Sequence, residues 1–68
     1  MTFIKDTKEN RLINLDRINN IVCDPTDCTI RLYGKAGFIL NFNCSNETMN
    51  AYTDICEGIS NGSHIIYV

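Results

Sequence analysis

No part of this sequence carries a run of basic residues, an apolar stretch of membrane length, or more than one histidine, and each absence removes a class of function. Nucleic-acid binders neutralise several phosphates with a basic stripe. Here six Lys and Arg stand against eight Asp and Glu, for a net charge of −2. Residues 1–17 hold a charge of +1, residues 18–43 balance, and residues 44–68 hold −3 with no Lys or Arg. A nucleic-acid partner is not expected. No run approaches the roughly 18 apolar residues that a membrane helix needs, so no membrane partner is expected either. The start, Met1-Thr2-Phe3-Ile4-Lys5-Asp6, lacks the charged and apolar pattern of a signal peptide. The expectation is a cytoplasmic protein in a reducing compartment. Three Asn-x-Ser/Thr matches, at Asn43, Asn46 and Asn61, then count as chance among nine asparagines.

Catalytic and metal chemistry is equally thin. The four cysteines, Cys23, Cys28, Cys44 and Cys56, are spaced by four, fifteen and eleven residues. Structural zinc sites bring ligands in pairs two to four residues apart, and Cys44 and Cys56 are too distant for a second pair. Cys28, Cys44 and Cys56 also fall on apolar stripes, where free cysteine behaves as a small buried hydrophobe. A Cys28–Cys44 disulfide is geometrically open but disfavoured by compartment. His64 lies beside the Asn61-Gly62-Ser63 turn, the place of an exposed strand-entry residue, and nothing marks it as the base of a nucleophile pair. Asp24 and Asp27 flank Pro25, and Asp54 and Glu57 sit on a polar helix face. Neither pair has the desolvated member that acid–base catalysis requires. Gly34-x-x-Gly37 joins two strands, whereas a phosphate cradle leads from a strand into a helix. No catalytic residue, metal or cofactor is expected.

What is present is strand-forming. The 68 residues make one domain, 1–68, with 44% apolar content and ten isoleucines beside the nine asparagines. AT-rich coding produces that bias, and it also favours strands, since Ile is stiff at χ1 and Asn competes with the helix backbone. Phe3-Ile4, Arg11–Leu15, and Ile18 followed by Ile21-Val22-Cys23 are the apolar runs that read as short strands. A hairpin connection is expected over Asp6–Asn10, a bend at Asp16-Arg17 and Asn19-Asn20, and a turn at Asp24-Pro25-Thr26-Asp27.

From Cys28 to Cys44 the alternation is strict. Cys28, Ile30 and Leu32 point one way and Thr29, Arg31 and Tyr33 the other, and Phe38, Leu40 and Phe42 repeat the pattern. A three-residue Lys35-Ala36-Gly37 loop with Gly37 left-handed pairs Leu32 with Leu40, Ile30 with Phe42 and Cys28 with Cys44. Ser45 then fits a helix N-cap. Met49, Tyr52, Cys56 and Ile59 recur at helical spacing with Ile55 beside them, and Asn61-Gly62 stops the helix. The expected fold is α+β: a small antiparallel sheet of about five short strands, one helix (45–60) packed on one face, and a C-terminal strand.

The sheet's second face carries the one feature that leans towards binding. Thr29, Arg31 and Tyr33 lie opposite Asn43, Asn41 and Ile39, and Arg and Tyr are enriched where partners dock. Thr29, Arg31, Tyr33, Ile39 and Asn41 are the candidate docking face, against the plain alternative of a solvated outer face. Small domains without staples often complete themselves by association, so a homo-oligomer is expected. A protein or a small anionic ligand is the further partner.

One stretch resembles a known family. Ile13-Asn14, Asp16, Ile18, Ile21, Pro25, Thr29-Ile30, Leu32 and Gly34-Lys35 are similar to the strands and turns of the small flagellar-operon proteins of the FlbD type. The match covers about a third of the chain and fades after Lys35, where the family's acidic helix start is here Asn43-Cys44-Ser45-Asn46-Glu47. The resemblance implies a short β-rich fold with one helix and a non-enzymatic role, and it transfers no functional residue. The functional expectation is a non-enzymatic binding or interaction protein acting as a homo-oligomer. The alternatives are a phage or mobile-element inhibitor that captures a host protein or a nucleotide-type signal, and a thiol-based enzyme.

Overall fold

The polar run after Asp6 reverses the chain because its bonds are met locally. In the computed structural model, which describes Met1 to Val68, Asn10 sits in the left-handed region at φ 52°, a conformation Asn tolerates better than most residues. Lys5 Nζ donates to Asn10 Oδ1 at 2.8 Å. The flanking strands, β1 (Phe3–Asp6) and β2 (Arg11–Asn14), pair antiparallel with Ile4 opposite Ile13. One turn of 3-10 helix at Leu15–Arg17, held by Asp16 N–H donating to Asn14 Oδ1 at 2.9 Å, swings the chain into β3 (Ile18–Asp24). Then come β4 (Thr29–Gly34), β5 (Phe38–Asn41), helix α1 (Ser45–Ser60) and β6 (Ile65–Tyr67).

The fold is α+β, with the helix where the sequence puts it. The strands make two three-stranded sheets, ordered β2-β1-β6 and β3-β4-β5. The expected antiparallel pairing holds except at the end, where β6 returns parallel to β1 with Ile66 opposite Ile4. Parallel neighbours need a long crossover, and everything between β1 and β6 supplies it. Arg11 ties the two sheets together: Nη2 donates to Ile39 O at 2.7 Å, and the guanidinium stands 5.5 Å from the Phe38 ring. Its Nε also bonds the buried Asp6 carboxylate at 3.0 Å.

Ile4, Ile13 and Ile66 of one sheet meet Ile30, Leu32 and Leu40 of the other, with Ala51 and Ile55 of α1 closing the cluster. Each larger side chain contributes about 1.5–3 kcal/mol by leaving water. With eight members the core is small, the usual condition of domains this short.

Several local expectations give way. In the β4–β5 hairpin Leu32 faces Phe38, Ile30 faces Leu40 and Arg31 faces Ile39, two residues off the expected register. Gly37 is not left-handed; Gly62 is the one glycine that is, at φ 69°. The cause lies at Gly34, whose backbone passes so close to Arg17 that an added Cβ would sit 2.0 Å from the Arg17 carbonyl oxygen. Lys35 N–H donates to that oxygen at 3.3 Å. Gly34 therefore stays with β3, and the reversal into β5 is made around Lys35 and Ala36. A shift of two preserves parity, so Ile30, Leu32 and Leu40 remain buried.

Cys28 does not face Cys44. It closes the Asp24–Asp27 turn in the left-handed region at φ 56°, and its carbonyl accepts from Phe42 N–H at 2.9 Å. Asn19 and Asn20 do not break the strand; they lie within β3 at a bulge between Ile18 and Asn20.

The helix is also turned from its expected face. Thr48, Ala51, Ile55 and Gly58 are buried, while Met49, Cys56 and Ile59 are exposed and Tyr52 is half-buried. Small residues win the inner face because α1 lies tight against β6: a Cβ on Gly58 would stand 2.4 Å from Ile66 Cγ1. The N-cap is Cys44 rather than Ser45, and its side chain makes no capping bond. At the other end Ser63 N–H reaches Gly58 O at 2.9 Å and Gly62 N–H reaches Ile59 O at 3.2 Å, the paired bonds that stop a helix at a left-handed glycine.

Candidate functional site

Directly opposed residues share a face, so the ladder fixes what stands together on the outside of β3-β4-β5. Asp24, Thr29 and Asn41 form one row, Val22, Arg31 and Ile39 the next, and Asn20 and Tyr33 the third. All five candidate residues, Thr29, Arg31, Tyr33, Ile39 and Asn41, lie on this face. The opposition differs from expectation: Thr29 faces Asn41, Arg31 faces Ile39, and Asn43 lies outside the strands. β3 adds Val22 to the face, which alternation within the hairpin alone does not reveal.

Three apolar side chains stand in water around the central Arg31: Val22 at 46% exposure, Tyr33 at 45% and Ile39 at 48%. Arg31 Nη2 donates to Asp27 Oδ2 at 3.5 Å. Its pKa is pushed upward, first by the neighbouring Tyr33 side chain and then, against some desolvation, by Asp27 and Asp24. Two polar atoms here have lost water without gaining a partner, Arg31 Nε and the hydroxyl of Thr29, which is only 8% exposed. Buried polar atoms are nearly always bonded. A shallow hollow of about 330 Å³ opens at the hairpin end between Arg31, Tyr33, Gly37 and Ile39.

The other sheet has an outer face too. Lys5, Leu12 and Tyr67 form one row and Phe3, Asn14 and Ile65 another, with Leu12, Ile65 and Tyr67 exposed. The signal for it is the run Ile65-Ile66-Tyr67, in which only Ile66 turns inward.

The thiols are placed differently from expectation. All four are free; Cys23 and Cys28 are half-buried, but Cys44, at the N-cap beyond β5, is exposed, and so is Cys56, because the helix stripe that carried it inward is rotated. Burial raises the Cys23 pKa, with Asp24 and then Cys56 adding to the rise. That environment keeps the thiol protonated, whereas a nucleophilic cysteine needs its thiolate favoured. His64 is exposed and precedes β6. No three of the His, Cys, Asp and Glu side chains gather into a metal-binding group, and no helix is long and apolar enough to cross a membrane. Comparison of the chain with protein-family models, curated proteins and solved structures finds no match among them.

Proposed function

We propose that this chain is a non-enzymatic interaction protein that acts as a homo-oligomer and docks a protein partner on the outer face of β3-β4-β5. The observation that carries this reading is the cluster of exposed apolar side chains, Val22, Tyr33 and Ile39, around the partly exposed guanidinium of Arg31. Such a face matches a partner that lays apolar groups over Val22, Tyr33 and Ile39 and brings a carbonyl acceptor to the exposed end of the Arg31 guanidinium. Arg and Tyr are the residue types that dominate binding energy once a partner covers them. Asp24 and Asp27 beside Arg31 favour a neutral peptide surface over a multiply charged anion.

The test is photo-crosslinking from a reactive side chain placed at Ile39, with Asn50 on the exposed side of the helix as control. One discrete protein adduct from position 39, lost on Arg31→Ala, is the expected result. Equal adducts from both positions, or an adduct indifferent to Arg31, would overturn the docking face. A melting shift with nucleotides and no protein adduct would assign the face to a small anion instead.

A further inference from the structure

Four strand edges are unpaired in this chain, and they are not equivalent. In the β4–β5 ladder Phe42 bonds Cys28, so the even-numbered residues of β4 bond β5 and the odd-numbered ones turn to β3. Within β3 it is then Asn20, Val22 and Asp24 that bond β4, leaving the N–H and C=O groups of Ile21 and Cys23 on the open edge. β3 is the longest strand, at seven residues, and holds no Lys, Arg or Pro. Those are the devices that usually keep an edge from pairing. By contrast Arg11 occupies Ile39 O on the open side of β5, β2 has four residues and β6 three.

The helix beside this edge is also left unfinished. Ile59, at 50% exposure, lines an open groove of about 350 Å³ with Leu15, Ile18 and Ile21. Cys56 lies one turn earlier, near enough to Cys23 to act on its pKa. Apolar side chains at helical spacing thus run along β3 without cover from their own chain.

We propose that β3 pairs antiparallel with β3 of a second copy about a two-fold axis at Val22, joining two three-stranded sheets into one of six. The inference rests on the self-association proposed above and gives it an address. Its register follows from the open groups: Ile21 of each chain bonds Cys23 of the other, and Val22 faces Val22. Asp24 then faces Asn20, so no like charges are opposed. One residue either way is poorer, since centring on Cys23 brings Ile21 to Pro25, which has no N–H to donate. The bulge beside Asn19 ends the pairing at its other limit. On the inner layer the two copies of α1 come side by side with Cys56 and Ile59 between them. A standard interface takes roughly 800 Å² from each partner, more than a strand edge alone supplies, so the helix flank is part of the contact.

Sedimentation equilibrium tests the proposal on the full chain. The wild type should be dimeric, and Val22→Asp, which sets like charges directly opposite each other, should weaken the dimer by at least about tenfold. Tyr33→Asp, on the same face but two ladder positions away, should leave it intact. Because a folding defect would mimic dissociation, Val22→Cys supplies a second readout. A facing pair without hydrogen bonds has Cα atoms about 4.5 Å apart, within disulfide reach. Mild oxidation by oxidised glutathione should therefore join position 22 of two chains, identified by peptide mass. A wild-type monomer at every concentration would sink both the self-association and this interface. A dimer that survives Val22→Asp, forms no link at position 22 and dissociates on Tyr33→Asp would keep the first and overturn the second.

Discussion

Gly34 is the least replaceable residue of the fold, and the reason is contact rather than conformation. Its backbone lies where any side chain would enter the Arg17 carbonyl, and neither segment has room to retreat because Ile18 is paired with Gly34 itself. Overpacking of this kind costs about 1–3 kcal/mol where neighbours can adjust. Gly34→Ala should lose about 2–3 kcal/mol, visible as a fall of about 10–20 °C in melting temperature. An unchanged melting temperature would mean that the 3-10 turn moves freely, removing the explanation given for the hairpin register. The sequence makes Gly34 a turn residue because Gly-x-x-Gly between two strands looks like a loop. Nothing local announces that Arg17, far earlier in the chain, passes against it. Cys28 presents a related difficulty: its left-handed conformation closes a local turn, yet its carbonyl is held by Phe42 N–H beyond the next hairpin.

At the scale of elements, whatever period and parity dictate is legible, and whatever depends on which neighbour arrives is not. The hairpin keeps its inward set, Ile30, Leu32 and Leu40, although its register slips, because a shift of two residues leaves parity untouched. The helix is legible in extent, Ser45 to Ser60, yet its inner face is one position from the expected one. Hydrophobicity alone points to Met49, Tyr52, Cys56 and Ile59, but closeness to β6 favours Ala51 and Gly58. The start of α1 shows a further gap between composition and geometry. Cys44 has the extended backbone of an N-cap (φ −154°, ψ 168°) without a side-chain bond to a backbone N–H of the first turn. Cys44→Asp supplies an acceptor and a negative charge at the positive end of the helix, and should raise stability by about 1 kcal/mol. Thermal denaturation should register a gain of about 4–8 °C. A loss instead would show that the Cys44 thiol, 4.0 Å from the Glu47 carboxylate, contributes more than its geometry implies.

For the molecule as a whole the question is how so small a core holds one structure. The chain buries twelve of its residues and leaves nine large apolar side chains exposed. Seven of the nine are grouped: Val22, Tyr33 and Ile39 share one sheet face, Leu12, Ile65 and Tyr67 another, and Ile59 flanks β3, with only Met1 and Met49 apart. Grouped apolar surface on a domain short of core is what association would use. If a second copy completes the fold, folding and association are linked by mass action, and stability depends on protein concentration. Each tenfold rise in concentration then adds about 1.4 kcal/mol per mole of dimer. The melting temperature should climb by several degrees over a hundredfold rise in concentration, and Val22→Asp should flatten that climb while keeping a cooperative transition at the dilute end. A melting temperature independent of concentration for the wild type would place all of the stability inside one chain. The exposed faces would then have to be explained by a partner of another kind.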